Sequence, residues 1–187
     1  MDNRLIVAPL LDLEQAEELV SAQDVDKALQ FASLSRRREF LSWRAMLYKA
    51  LGEVVVVEYD NGAPYIVGRD LHIGVSHTTD MVAVALADRP CAVDVERADR
   101  DVARISDRYL TESERALCHK QSDYVALWCA KECYYKLCRN KSLSLLTDIR
   151  VVALDWGAGV VDVVDSLGGC ERLNFERRDE HFIVYFL

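Results

Sequence analysis

The chain has 187 residues, of which 51% are hydrophobic and 29% are charged, and its formal net charge at pH 7 is −8. This length suits one domain or two small halves packed together, and the hydrophobic fraction is large enough to build a core. The acidic charge disfavours nonspecific nucleic-acid binding. No apolar run approaches the ~20 residues that span a bilayer, and the N-terminus lacks a signal-peptide pattern. We therefore expect a cytoplasmic protein.

The first part of the chain is predicted to combine two helical stretches with four strands. Its helices are expected at residues 12–32 and 34–51, and Gly52 is expected to end the second one. Apolar and β-branched segments predict strands at residues 4–10, 53–59, 71–76 and 81–87, with an Asp60-Asn61-Gly62 turn.

The second part follows a break at Asp88-Arg89-Pro90. A capping box at Thr111–Glu114 opens one helix, and residues 123–139 form the most strongly predicted helix of the chain. Strands are expected at residues 91–96, 148–154, 159–164 and 181–187. The order of helices, strands, helices and strands predicts an α+β fold with an N-terminal α/β half at 1–88 and a C-terminal α/β half at 89–187.

Two of these elements carry acidic residues at spacings that place charged side chains on one face of the element. Asp94 and Glu96 are two residues apart on a strand and therefore point to the same face. Glu132 and Lys136 share one face of the 123–139 helix. Three carboxylates with room for water and phosphate describe a Mg²⁺ site, but the same residues are also consistent with an ordinary helical ion pair and two surface acids at a strand end.

Two further stretches have residues that suit phosphate binding. The 34–50 segment holds four arginines and a lysine against Glu39 alone, and this surplus fits either a phosphate or acidic-partner site or a solvated helix face. Ser76-His77 closes a predicted strand, where the hydroxyl and the imidazole would be able to donate to a phosphate, although a turn or core histidine has the same pattern.

Taken in order, these motifs resemble those of the 4′-phosphopantetheinyl transferases of the Sfp type. The chain carries Ser76-His77, then Ala92-Val93-Asp94-Val95-Glu96, then Trp128-Cys129-Ala130-Lys131-Glu132 followed by Cys133-Tyr134-Tyr135-Lys136. An upstream helix with Arg44 also matches the family pattern, so the resemblance runs from about residue 34 to 154.

The resemblance implies a fold, a reaction and roles for individual residues. The family fold is two pseudosymmetric α/β halves with the site between them, here in a single monomer. The family transfers the phosphopantetheine arm of coenzyme A to a serine of an apo acyl or peptidyl carrier protein and releases 3′,5′-ADP. The implied metal ligands for Mg²⁺ are Asp94, Glu96 and Glu132.

The remaining roles concern coenzyme A and the proton. Lys136 would contact the pyrophosphate, and Ser76, His77 and Arg44 would hold the nucleotide phosphates. Glu132 is the expected base, directly or through a water on the metal, and Lys131 is expected to contact phosphate or to orient it.

The chain departs from the family pattern at three places, Ala63, Gly74 and Ser142. Family members often have a phosphate-binding lysine at the first, asparagine at the second and glycine at the third. The departures leave open an alternative, a module that binds coenzyme A or a carrier without transfer. A metal-dependent phosphohydrolase is the third hypothesis.

Overall fold

The computed structural model describes residues 3–187, which fold into helices packed on antiparallel sheets and confirm the predicted α+β class. The strands are β1 (Arg4–Pro9), β2 (Val57–Asp60), β3 (Ala63–Ile66), β4 (His72–His77), β5 (Met81–Ala87), β6 (Ala92–Arg97), β7 (Ile149–Asp155), β8 (Val160–Asp165), β9 (Cys170–Arg178) and β10 (His181–Phe186). The helices are α1 (Leu13–Glu18), α2 (Ala22–Leu29), α3 (Leu34–Leu51), α4 (Glu112–Arg115) and α5 (Gln121–Cys138), and a 3₁₀ turn covers Ala103–Arg108.

A first sheet has the strand order β1-β5-β4 and packs against α3. Along β5 the side chains alternate between its two faces. The larger ones, from Val82 to Leu86 at every second position, pack with Trp43 and Leu47 of α3. The alanines between them face the second sheet. Strand β5 is therefore apolar on both faces, which explains its unbroken hydrophobic sequence.

A second sheet has the order β6-β10-β9-β8-β7, and α5 lies across it. Helix α5 buries side chains along most of its length against this sheet, among them Val125, Leu127 and Cys133. Since β6 is the edge strand nearest the first sheet, the helix and the strand that carry the sequence motifs lie side by side.

The two sheets meet closely at Gly74. A Cβ atom added to Gly74 would lie 2.9 Å from the Cα atom of Ala92, a distance too short for any side chain. Glycine therefore lets β4 approach the start of β6. This approach places Ser76, at the end of β4, beside Asp94 of β6.

Two predicted elements differ in the structure, and two strands were not predicted. The expected helix at 12–32 is two short helices, because Ser21 accepts a hydrogen bond from the backbone N–H of Asp24 and starts a new helix there. Strands β3 and β9 were not predicted, and the 53–59 strand begins only at Val57. Within residues 3–187 no helix is both long and apolar enough to cross a membrane.

Helix α3 is buried on all sides through its middle, from Phe40 to Tyr48. One side packs on the first sheet, and the other contacts Ala16 of α1 and Ala28 of α2 through Phe40 and Leu41. The sequence analysis did not predict this second contact. It determines where Arg44 lies.

Candidate active site

The ends of β4, β6 and α5 bring together three of the residues singled out from the sequence. The ammonium Nζ of Lys136 donates to Asp94 Oδ1 at 2.6 Å and to Ser76 Oγ at 3.1 Å. The Ser76 hydroxyl donates to the same Asp94 oxygen at 2.9 Å, and it accepts from the backbone N–H of Val95. Strand, strand and helix therefore meet at one carboxylate.

Asp94 has one saturated oxygen and one free oxygen. Its Oδ2 atom is buried and has no hydrogen-bond partner among residues 3–187. A buried carboxylate oxygen without a donor is unfavourable, because it has lost its water and gained nothing in return. Such an atom is the kind of ligand that a cation would satisfy.

Lys136 provides the positive charge next to Asp94. Burial lowers the pKa of its ammonium group, but the adjacent Asp94 carboxylate outweighs that effect and raises the pKa above its ordinary value. Lys136 therefore stays charged at neutral pH. Its side chain is still 34% exposed, so the ammonium group can be reached from the solvent side.

Glu132 lies one helical turn before Lys136 on α5. Burial raises the pKa of its carboxyl group, and the negative charge of Asp94 adds to the effect, while Lys136 and Arg100 oppose it. A carboxylate with a raised pKa binds a proton more strongly and is a better base. The influence of Asp94 also shows that the two carboxylates are electrostatic neighbours.

Glu96, the third expected metal ligand, is held by residues that the sequence argument did not assign to it. The indole N–H of Trp128 donates to Glu96 Oε1 at 3.1 Å, and the Arg100 guanidinium forms an ion pair with the same oxygen. Arg100 also stacks on the Trp128 ring, 5.2 Å from its centroid. Trp128 therefore orients Glu96 from the motif's own helix.

The residues of this site suit a hard divalent cation without forming a finished cage. Within residues 3–187, no group of three or more acids, histidines or cysteines stands close enough to hold a metal. The donor set nevertheless fits, since the free Asp94 oxygen and the neighbouring Glu132 are hard oxygen ligands with like charge. Glu96 would join them by exchanging its contact with Arg100.

His77 is adjacent to the site but has a different neighbour from the expected one. Arg36 Nη1 lies 2.7 Å from His77 Nε2, and Glu39 Oε2 lies 3.5 Å from His77 Nδ1. Arginine only donates, so Nε2 is the unprotonated nitrogen of a neutral ring. Burial lowers the pKa of the imidazole, with Glu39 opposing and Arg36 adding to the effect, which agrees with that tautomer.

Arg44 does not lie with His77. Its side chain is 1% exposed, its Nε donates to Asp24 Oδ1 at 2.6 Å, and its guanidinium carbon lies 3.9 Å from the Phe40 ring centroid and 4.1 Å from that of Trp43. A phosphate has no access to it. Arg36, two turns earlier on α3, is the arginine beside His77. The basic surplus of the 34–50 segment was the sequence feature that could have pointed to Arg36.

Lys131 is likewise placed away from the cleft. Its ammonium is completely buried and donates to the carbonyls of Tyr109 and Leu145, and to Glu114, at 2.6–2.9 Å. Burial lowers the pKa of Lys131, and Glu114 acts in the opposite direction. With all three N–H donors used, Lys131 has none left for a phosphate and fixes the α4 region to α5 instead.

Ser76 has less freedom than the expected phosphate contact requires. Its single hydroxyl proton is used by Asp94, so the side chain holds that carboxylate in place. A cleft of about 410 Å³ opens beside the next residue, His77, and Glu96 and Arg100 also line it. This volume accommodates a pyrophosphate with its counter-charges.

The comparison with known proteins covers the region that holds most of this site. The family model of the 4′-phosphopantetheinyl transferase superfamily matches residues 90–182, about half of the chain. The matched segment runs from just before β6 into β10 and includes Asp94, Glu96, Glu132 and Lys136, whereas α3 and His77 lie outside it.

The chain is also similar to a curated relative. It is 30% identical over 81 residues to the 4′-phosphopantetheinyl transferase gsp of Aneurinibacillus migulanus. Those residues make up 40% of this chain and 34% of that protein, so the chain spans about a third of the length of the curated relative that it matches. On the family match and this relative together, the chain belongs to the 4′-phosphopantetheinyl transferase superfamily.

Proposed function

We propose that this protein transfers the 4′-phosphopantetheine arm of coenzyme A to a serine hydroxyl of an apo acyl or peptidyl carrier protein, with release of 3′,5′-ADP. The observation that carries the proposal is the junction of Ser76, Asp94 and Lys136 beside Glu132. It combines a free buried carboxylate oxygen, a raised-pKa carboxyl group and a reachable ammonium group.

The reaction forms one P–O bond and breaks another. The carrier serine oxygen bonds to the phosphorus that bears pantetheine, and the bond from that phosphorus to the bridging oxygen breaks, so the electron pair leaves with 3′,5′-ADP. We assign Glu132 as the base that accepts the serine proton. A serine hydroxyl without such a base is a poor nucleophile.

Negative charge that develops on the leaving phosphate needs cations. Lys136 would exchange one of its present acceptors for a phosphate oxygen. His77 lines the cleft of about 410 Å³ and Arg36 Nη1 lies 2.7 Å from its ring, so we assign both, in place of Arg44, to the outer phosphate oxygens. Mg²⁺, when bound, would offset charge on both phosphates, and Asp94, Glu96 and Glu132 are the residues that would hold it.

We also propose that the chain divides near residue 88 into two pseudosymmetric halves and acts as a monomer. Supporting this, each part has an antiparallel sheet covered by an 18-residue helix, α3 in the first and α5 in the second. The proposed site uses residues from both parts.

The test is a carrier-modification assay. The protein is incubated with coenzyme A, Mg²⁺ and a panel of apo carriers from fatty-acid, polyketide and peptide synthesis, and each carrier is weighed by mass spectrometry. We expect one carrier class to gain the mass of the phosphopantetheine arm. No gain with any carrier would contradict the proposal, and binding of coenzyme A without gain would favour the binding-module alternative.

Two controls fix the assignment of the site. Glu132→Gln keeps the shape of the side chain but removes the base, and we expect no mass gain with it. A gain that persists would show that Glu132 is not the base. Release of 3′,5′-ADP without any carrier would instead indicate a phosphohydrolase.

A further inference from the structure

Arg100 is a cation at the candidate site that the proposed mechanism does not use. Its guanidinium forms an ion pair with Glu96, one of the expected metal ligands. Burial raises the pKa of Glu132, another expected ligand, and the charge of Arg100 opposes this effect. Asp94, the third, is paired with Lys136 at 2.6 Å. All three carboxylates therefore already lie near a cation that belongs to the chain itself.

The backbone after β6 turns Arg100 back toward Glu96. Four residues of an extended strand cover about 13 Å, a span that side chains standing perpendicular to the strand do not bridge. The strand ends in a turn, in which the Arg100 N–H donates to the Arg97 carbonyl at 3.0 Å. The Arg100 carbonyl accepts from the Val102 N–H at 2.9 Å and from Gln121 Nε2 at 2.8 Å. Three hydrogen bonds therefore fix the backbone of the residue that contacts Glu96.

The Arg100 side chain lies between the solvent and the Trp128 ring. Its guanidinium carbon is 5.2 Å from the ring centroid, and the indole N–H donates to the same Glu96 oxygen, Oε1, at 3.1 Å. The Arg100 side chain is 43% exposed, whereas that of Glu96 is 14% exposed. Arg100 is therefore able to leave Glu96 for water at little cost, while Trp128 keeps Glu96 in position.

Glu96 and Asp94 differ in how well their oxygens are satisfied. Glu96 Oε1 has two partners, but the buried Oδ2 atom of Asp94 has no hydrogen-bond partner among residues 3–187. A divalent cation that binds this Asp94 oxygen and Glu96 must either displace Arg100 or lie beside its positive charge. Both possibilities oppose binding of the cation.

We propose that Arg100 is a built-in counter-ion of the metal site, which competes with the divalent cation for Glu96 and lowers the affinity of the protein for that cation. This inference rests on the metal ligands assigned in the proposed function. Without the metal, Arg100 offsets the charge of Glu96. In the metal-bound protein, Glu96 exchanges one cation for another, and Arg100 is released to the solvent.

The experiment measures the binding of Mn²⁺ to the full chain, without coenzyme A or carrier, by calorimetry and by electron paramagnetic resonance of the free ion. Arg100→Gln removes the cation and leaves Glu96 on Trp128. We expect this variant to bind Mn²⁺ about 3- to 10-fold more tightly than the unaltered protein. Because the side chain is partly exposed, the variant is expected to fold, and a thermal melt checks this.

Arg97→Gln is the matched control. Arg97 lines the same cleft and carries the same charge, but its partners are Asp99 and Asp80, at 2.8 and 3.2 Å. The control changes the net charge equally and frees carboxylates that are not expected metal ligands. We therefore expect it to change Mn²⁺ affinity by less than about twofold.

A second control removes the charge for which Arg100 competes. Glu96→Gln keeps an oxygen for the Trp128 N–H but has no charge to pair with Arg100. In this background, Arg100→Gln should change Mn²⁺ affinity by less than about twofold.

Three outcomes would overturn the inference. In the first, Arg100→Gln binds Mn²⁺ no more tightly than the unaltered protein, which includes the case in which neither binds it. In the second, Arg97→Gln tightens binding by as much. In the third, the effect of Arg100→Gln persists undiminished in the Glu96→Gln background.

The sign of the change separates two roles for Arg100, and the assay is independent of transfer. Weaker Mn²⁺ binding by Arg100→Gln would show that Arg100 orients Glu96 for the metal and does not compete with it. Failure of the proposed function looks different, because no carrier would then be modified even though the Mn²⁺ affinities change as expected.

Discussion

Helices α3 and α5 are both 18 residues long, and each carries a buried cation and a partly exposed cation near the candidate site. On α3 the buried cation is Arg44, and the exposed one is Arg36, beside His77. On α5 they are Lys131 and Lys136. Neither the residue type nor the helix therefore decides the role of a cation. What decides it is the set of neighbours on the side of the helix where the residue lies.

The two lysines of α5 lie on different sides of the helix and have different neighbours. Five residues separate Lys131 from Lys136, so at 100° per residue their side chains point about 140° apart. Lys131 faces α4 and the 3₁₀ region, where carbonyls and Glu114 enclose it. Lys136 faces β4 and β6 and retains access to solvent.

The largest effect is expected for the stability of Lys131→Met. Removing the ammonium leaves Glu114 charged and buried, which costs about 3–5 kcal/mol in the free energy of unfolding. The same substitution at Lys136 should cost only about 1–2 kcal/mol, since water can reach the gap and the Ser76 hydroxyl still donates to Asp94. Urea unfolding of both variants measures this, and equal losses would abolish the distinction between the two lysines.

We expect the two lysine substitutions to affect carrier-modification activity in the opposite order, with the larger loss for Lys136→Met. Lys136→Met should lower kcat/KM for carrier modification by about 10²- to 10³-fold, because a donor to the developing charge is lost. Lys131→Met, assayed at a temperature where it is folded, should change kcat/KM by less than about threefold per folded molecule, because its ammonium never reaches the cleft. If Lys131→Met proved as inactive as Lys136→Met while folded, the structural role of Lys131 would be wrong.

The same comparison on α3 should give smaller differences. Arg44→Met leaves Asp24 buried without its cation and should reduce the free energy of unfolding by about 1–3 kcal/mol. Arg36→Met removes an exposed ion pair with Glu39 and should cost less than about 1 kcal/mol. Activity should be lost with Arg36→Met and retained by folded Arg44→Met. The opposite pattern would restore Arg44 to the nucleotide site.

The sequence predicts those parts of the molecule whose signals are local. The periodicity of α3 and α5, the glycine cap at Gly52 and the apolar run of β5 all lead to elements at nearly the expected positions. Strand β9 was missed because only Leu173 and Phe175 of its nine residues are buried and most of the others are charged, so the segment lacks the β-branched and apolar residues typical of a strand. Strand β3 is short and contains a proline, which argues against a strand.

The site residues show the same limit, because local sequence spacing predicts only which side chains of one element share a face. The i, i+2 spacing of a strand places Asp94 and Glu96 on one face, and the helical spacing places Glu132 and Lys136 on another. No spacing within one element reveals that α1 and α2 cover α3, so the burial of Arg44 was out of reach. The burial of Lys131 depends on Glu114 and Leu145, 17 and 14 residues away in sequence.

The smallest expected effect concerns a contact between the two sheets. Asp80, between β4 and β5, accepts a hydrogen bond from Thr78 Oγ1 at 2.7 Å and contacts Arg97 and His181 of the second sheet at 3.2 and 3.0 Å. The Thr78 hydrogen bond is the main cause that lowers the pKa of Asp80, burial opposes it, and His181 and Arg97 add to the lowering.

A lowered pKa in the folded state means that ionised Asp80 stabilises the fold above the unfolded value of 3.8, and that this contribution is lost as pH falls through the lower folded value. Asp80→Asn should therefore cost less than about 1 kcal/mol at pH 7, because the group is half exposed. The difference from the unaltered protein should shrink between pH 4 and pH 3. Urea midpoints of both proteins across pH 7 to 3 test this prediction. A difference that grows with acidity would mean that Asp80 is not stabilised as the anion by its contacts across the two sheets.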